Sequence, residues 1–67
     1  MSEDRAYLLR VLGRIQNNDL PVPLRLQLLY DEIHERQDLL SLAADPHLDP
    51  EVREAASLKG AELARTG

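Results

Sequence analysis

The feature that most constrains this sequence is the spacing of its leucines, which recur three and four residues apart. Fourteen of the 67 residues are leucine, whereas phenylalanine and tryptophan are absent and β-branched residues are scarce. Apolar residues three and four apart share one face of a helix, and strands favour the residue types that are missing. The pattern predicts an all-α fold with two apolar stripes: Leu8, Val11, Leu12 and Ile15, then Leu26, Leu29, Tyr30 and Ile33.

Capping and breaking residues divide the chain into three predicted helices, over residues 3–17, 23–44 and 50–64. Ser2 is placed to cap the first helix, and Asn17 begins a stop signal. Pro23 suits the first turn of the second helix, and Asp49 with Pro50 forms a start signal for the third. Residues 1–67 are therefore predicted to form one domain, a small three-helix bundle. Its first two helices form an antiparallel hairpin, and the C-terminal helix packs across them.

The polar segment His34-Glu35-Arg36-Gln37-Asp38 interrupts the apolar stripe inside the predicted second helix. Leucines resume the stripe immediately afterwards, from Leu39 onwards. Either one long helix spans residues 23–44 with a solvated middle turn, or Asp38 caps a new short helix. We favour one helix, bent or split near residue 37.

Residues 39–56 combine leucines, a DPxxDPEVR turn and then alanines. In this order they resemble one turn of a HEAT-like helical repeat. The resemblance covers a single unit, and repeat folds need at least about three units. Neither a repeat architecture nor a function is carried over from it.

The size of the chain and its lack of cysteine bear on how it is stabilised. A domain of this length buries only about 60% of its unfolded surface, and small scaffolds commonly add disulfides, a metal or a partner chain. Disulfides and thiolate metal sites are excluded because the sequence has no cysteine. Oligomerisation or an unusually well-packed core therefore remains.

The start of the chain is acidic, and no long apolar run follows it. A signal peptide and a membrane span each require such a run, so we expect a cytoplasmic protein without membrane attachment. The seven arginines against one lysine indicate a bacterial or phage genome rich in G and C.

The charge of the chain is concentrated in its middle. Residues 31–54 carry eight acids against two arginines, whereas residues 1–30 and 55–67 each have a net charge of +1. An acidic middle argues against a nucleic-acid partner, which demands a basic face. The last predicted helix also interleaves its basic residues with acids, which weakens a helix-turn-helix interpretation. The acids suit a basic protein partner, or they keep a small domain soluble.

The segment from His34 to Asp38 reads H-E-x-x-D, one residue away from the zinc-protease signature. On a helix, His34 and Asp38 would share a face, with Glu35 as a base. Three short helices offer little material for a substrate cleft, so we interpret the segment as a solvated, salt-linked turn. We assign no catalytic, metal-binding or cofactor-binding residues and expect that the protein is not an enzyme.

The leucine excess predicts a protein–protein interaction module that associates with itself as a homodimer, because a small monomer would leave part of its apolar surface exposed. The predicted interface comprises Tyr7, Val11, Leu26, Leu29, Tyr30 and Ile33. Its predicted polar rim comprises Asp31, Glu32, Glu35 and Asp38. The alternative is a small acidic inhibitor or adaptor, phage-type or regulatory, that binds a basic surface of a larger protein through residues 31–54.

Overall fold

The structure, a computed structural model, describes the backbone of residues 2–66 and the side chains of residues 4–65. Over that backbone it contains no strand and four helices: α1 (Ser2–Ile15), α2 (Val22–Glu32), α3 (Arg36–Ala44) and α4 (Pro50–Thr66). The all-α prediction is confirmed. The predicted count of three helices is wrong, because the segment expected to be one middle helix is two. The predicted cap by the Ser2 side chain lies outside the described side chains.

The four helices form two consecutive pairs that meet through α2 and α4. Helix α1 packs against α2, α3 packs most extensively against α4, and α2 also packs against α4. The last helix was predicted to lie across the first two. It does contact α2, but its principal neighbour is α3.

One apolar core draws on all four helices and on the loop before α4. The two stripes predicted from the sequence supply Val11, Ile15, Leu29 and Ile33, and Leu48 of the loop adds to them. Helices α3 and α4 approach closely where a Cβ added at Gly60 would lie 3.7 Å from the Cβ of Leu39. The buried members are Val11, Ile15, Leu29, Ile33, Leu39, Leu42, Leu48, Val52, Ala55 and Ala56.

The break between α2 and α3 occurs at residues 33–35, earlier than the bend or split predicted near residue 37. Ile33 is extended (φ −98°, ψ 109°), although its N–H still donates to the carbonyl of Leu29 at 3.2 Å. In a continuous helix the carbonyl of Tyr30 would accept from the amide four residues on. Here it accepts from Nζ of Lys59 at 2.7 Å instead. The side chain of Lys59, on α4, thus replaces the hydrogen bond that a continuation of α2 would supply.

A buried arginine joins the loop between α1 and α2 to the loop between α3 and α4. Arg25 lies on the core-facing side of α2, four residues before Leu29, and is only 1% exposed. Its guanidinium donates to the carbonyl of Leu20 at 3.0 Å, to Oδ1 of Asn18 at 3.2 Å and to the carboxylate of Asp49. Because each polar atom of this side chain finds an acceptor, the arginine is accommodated in the core.

Asn18 extends the same polar network to the loop between α3 and α4. Its Nδ2 donates to the carbonyl of His47 at 2.9 Å, and the amide of His47 donates to Oδ1 of Asp45 at 2.9 Å. Asp49, predicted from the sequence as the cap of the last helix, immediately precedes α4, and its carboxylate binds Arg25. The two loops are therefore held side by side by hydrogen bonds between residues far apart in sequence.

Candidate protein-binding surface

Several large apolar side chains of the described residues remain on the surface of the single chain. Scattered exposed leucines are normal in small proteins, whereas neighbouring ones mark a potential binding surface. The arrangement of these side chains is therefore more informative than their number. The exposed set comprises Tyr7, Leu9, Leu24, Tyr30, Leu40 and Leu58.

Tyr30 and Leu58 lie next to each other in a groove between α2 and α4. Tyr30 is 48% exposed and Leu58 is 58% exposed. Both line a groove of about 200 Å³ with Leu26, and both line an adjoining groove of about 430 Å³ with Ala61. Because the same two side chains border both grooves, the grooves form one continuous surface, which we call the α2–α4 face.

Charged residues of α4 surround the apolar part of the α2–α4 face. Glu51 and Glu54 line the smaller groove, and Glu62 and Arg65 line the larger one. Acids therefore outnumber bases at the rim. An apolar centre within a charged rim is the usual anatomy of a protein-binding patch.

Lys59 holds the two sides of the α2–α4 face together. Its side chain is buried, and Nζ donates to the carbonyls of Tyr30 at 2.7 Å and Leu29 at 3.2 Å. Burial lowers the pKa of Lys59 from its ordinary value of 10.5, while the charges of Asp31 and Glu62 act in the opposite direction. The contact fixes the end of α2 against α4 directly beneath the exposed tyrosine.

A second apolar groove lies between α1 and α2 and carries the opposite charge. Tyr7, Arg10, Val11, Arg14 and Leu28 line a space of about 180 Å³. Val11 is buried at its base, whereas the tyrosine and both arginines are exposed. We call this surface the α1–α2 face. Its two charged lining residues are both basic.

A third groove, of about 380 Å³, is mainly polar and lies between α1 and α3. Arg5 and Asp38 line it and approach each other with 3.8 Å between Nη1 and Oδ2. The arginine of this pair is exposed and its aspartate is partly buried, and an ion pair with a solvated partner at this distance contributes little to stability. This groove offers less apolar surface than the other two, and we do not assign it a role.

The six residues predicted as an interface divide into two groups in the structure. Tyr7 and Tyr30 are exposed and Leu26 is partly buried, so these three reach the surface. The other three, Val11, Leu29 and Ile33, are at most 3% exposed and belong to the core of the single chain. Their prediction as interface side chains is corrected, because neighbouring helices of the same chain already cover them.

The four acids predicted as a rim also occupy different surroundings. Asp31 and Glu35 are exposed and Glu32 is partly buried. Asp38 faces Arg5, away from the α2–α4 face. Among the α4 residues at the rim, Glu51 and Glu54 were not assigned to the interface from the sequence, nor was Leu58. The sequence does not show which side of α4 lies next to Tyr30, and these residues could not be assigned without that information.

The H-E-x-x-D segment does not have the geometry of a helical metal site. His34 and Glu35 lie in the break between α2 and α3, so His34 and Asp38 do not share a helix face. Nε2 of His34 lies 2.9 Å from the carbonyl of Asp31. Within the described residues no group of three or more potential metal ligands converges.

Comparisons with protein-family models, curated protein sequences and solved structures each found no match for this chain. Among the described residues, no helix has both the length and the apolar character needed to cross a bilayer. A proposal about function therefore rests on the surfaces described above.

Proposed function

We propose that this protein is a non-enzymatic protein-interaction module that associates with itself, and that the α2–α4 face is its principal binding surface. The observation that carries the proposal is the adjacency of Tyr30 and Leu58, both about half exposed, across the groove between two helices. Tyrosine offers a large apolar area with a polar tip, and it is enriched among residues that dominate binding energy.

The energetic incentive for association comes from covering these side chains. Full burial of a leucine side chain is worth about 1.5–3 kcal/mol. Leu58 and Tyr30 are each about half exposed, so a partner that covers both would gain roughly half of the full-burial value from each side chain. The charged rim, formed by Glu51, Glu54, Glu62 and Arg65, would then contribute orientation more than affinity.

The fixed backbone around this face also favours binding. Lys59 ties the end of α2 to α4 through two carbonyls. A surface that is ordered before binding loses less conformational entropy when the partner arrives. Tyr30 is thus carried by backbone that is anchored in the free chain.

Single substitutions of two leucines with similar exposure test the proposal. We expect Leu58→Gln to weaken self-association at least about tenfold, which corresponds to 1.4 kcal/mol. Leu40→Gln is the matched control, because Leu40 is 52% exposed but lies on α3, outside both apolar faces. Sedimentation equilibrium measures both dissociation constants, and circular dichroism confirms that both variants are helical. Equal weakening by both variants, or by neither, would refute the role of the α2–α4 face.

A second candidate is a small acidic adaptor that uses the same face for a larger basic protein. Glu51 and Glu54 beside Tyr30 and Leu58 favour this alternative, because a basic amphipathic helix could satisfy both the acids and the apolar groove. A synthetic helix with leucines on one side and arginines on the other serves as the probe. Saturable 1:1 binding by a chain that stays monomeric alone would support the adaptor and reject self-association.

A further inference from the structure

We propose that self-association is head to tail: the α2–α4 face of one copy binds the α1–α2 face of the next. This inference rests on the proposed self-association and adds the identity of the partner surface. Both faces contain a tyrosine beside a leucine, Tyr30 with Leu58 in one and Tyr7 with Leu28 in the other. The two apolar centres are therefore similar in chemistry, and the surrounding charges distinguish them.

The charges of the two faces are complementary. Arg10 and Arg14 are the charged residues that line the α1–α2 groove, and Glu51 and Glu54 are those that line the smaller groove of the α2–α4 face. All four side chains belong to exposed residues. Contact between the two faces would place arginines near glutamates, whereas a two-fold pairing of the α2–α4 face would bring together two surfaces that each carry three glutamates against Arg65 and the buried Lys59. Electrostatic complementarity thus favours the contact between unlike faces.

The position of the two faces on α2 allows one copy to use both at once. Leu26 and Leu28 are separated by about 200° around the helix axis, because successive residues advance by about 100°. The first borders the α4 side and the second borders the α1 side. Leu29, which points into the core, lies between them around the axis. Partners bound to the two faces would therefore occupy opposite flanks of the helix.

A contact between unlike faces has a consequence for stoichiometry. In a chain of copies joined in this way, one end has a free α2–α4 face and the other end a free α1–α2 face. Further copies can therefore add until a ring closes or the copies are exhausted. We therefore expect species larger than a dimer as concentration rises. The predicted homodimer would be the first step of this series.

Two charge-reversal variants test the pairing. In Arg10→Glu/Arg14→Glu only the α2–α4 face is intact, and in Glu51→Arg/Glu54→Arg only the α1–α2 face is intact. We expect each variant alone to associate at least tenfold more weakly than the unaltered chain, and we expect an equimolar mixture to form a complex. Arg36→Glu is the control, because this exposed arginine lies on α3 outside both faces. Sedimentation velocity detects the complex, and circular dichroism verifies the fold of each variant.

Specific results would overturn the head-to-tail arrangement while leaving self-association intact. If Arg10→Glu/Arg14→Glu associates as tightly as the unaltered chain, the α1–α2 face is not the partner surface and the α2–α4 face pairs with itself. A chain that remains monomeric throughout would reject the proposed function and this inference together.

The salt dependence of the unaltered chain gives a second test without any substitution. Raising sodium chloride from about 0.05 M to about 0.5 M shortens the screening length from roughly 14 Å to roughly 4 Å. Head-to-tail association should weaken at the higher salt concentration, since opposite charges attract less. Stronger association at high salt would show that like charges meet, and it would contradict the arrangement.

Discussion

Nζ of Lys59 donates a hydrogen bond to the backbone carbonyl of Tyr30, with 2.7 Å between the two atoms. This contact links α4 to the last turn of α2 across 29 residues of sequence. It has two effects. It supplies a partner to a carbonyl that the end of α2 leaves without its helical amide, and it anchors the backbone that carries an exposed aromatic side chain.

The buried position of Lys59 predicts a measurable pH dependence. Burial lowers its pKa below 10.5, so between the folded pKa and 10.5 the unfolded chain binds more protons than the folded chain. The contribution of Lys59 to the free energy of unfolding therefore rises with pH in that interval and is lost as the pH falls through the folded pKa. Because the sequence has one lysine, NMR titration of its side chain reads the folded pKa directly. A value at or above 10.5 would contradict this prediction.

The variant Lys59→Met isolates that contribution. At neutral pH we expect a loss of about 1–3 kcal/mol, because the variant removes both hydrogen bonds of Nζ, each worth about 0.5–1.5 kcal/mol. The difference in unfolding free energy between the unaltered chain and the variant should grow as the pH approaches 10. Urea denaturation of both chains at pH 7 and pH 10 measures this difference. A difference that shrinks at high pH would show that the charged form is favoured by folding.

The ion pair of Arg25 and Asp49 should behave as a buried charge with one exposed partner. The arginine is 1% exposed and the aspartate side chain 42% exposed. Asp49→Ala alone leaves a buried guanidinium without its counter-charge, which is more costly than removing both charges. We expect the double variant Arg25→Met/Asp49→Ala to be more stable than Asp49→Ala by about 1–3 kcal/mol. Both variants have alanine in place of Asp49, so any effect of this residue as a helix cap cancels in the comparison.

Chemical denaturation of those two variants provides the measurement. Equal stability, or a less stable double variant, would mean that the bonds from Arg25 to Leu20 and Asn18 matter more than its pairing with Asp49. The comparison therefore separates the charge of the arginine from its role in joining the loops.

Two leucines of α2 should respond very differently to truncation. Leu29 is completely buried, so Leu29→Ala should cost about 2–5 kcal/mol. Leu24 is 42% exposed, so Leu24→Ala should cost much less, about 1 kcal/mol or less. Thermal unfolding followed by circular dichroism compares them. Similar midpoints for both variants would contradict the assignment of Leu29 to the core.

Gly13 offers a stabilising substitution. A Cβ added at this position meets no heavy atom within 4 Å, and the residue lies inside α1. Alanine should therefore raise the free energy of unfolding by about 0.5–1 kcal/mol through its greater helix propensity. Urea denaturation tests the gain, and destabilisation would indicate a contact at this position that the fold does not show.

Local signals in the sequence were sufficient to predict the helical class and most helix boundaries. The predicted start at Pro50 agrees with α4, and the predicted start at Pro23 is one residue from that of α2. These signals act over one turn of helix, so they can be read without tertiary information. At the break over residues 33–35 the carbonyl of Tyr30 is instead bound by Lys59. This residue is distant in sequence, so its contact could not be predicted from local signals.

Three of the six predicted interface residues belong to the core for a related reason. A stripe of apolar residues shows that one face of a helix is covered, but it does not show whether the cover is the same chain or another. Leu29 and Ile33 are covered by the same chain. The residues at the edges of the stripe, such as Tyr30, are the ones that reach the surface. The burial of Arg25 could have been predicted from the sequence, because this residue lies four positions before Leu29 on the core-facing stripe.

The most direct test of the account is the mass of the unaltered chain in solution as a function of concentration. Sedimentation equilibrium over a hundredfold range should give a weight-average mass that rises above the 7.6 kDa of one chain. A mass that stays at 7.6 kDa at every concentration would contradict the claim that the exposed pair of Tyr30 and Leu58 serves self-association.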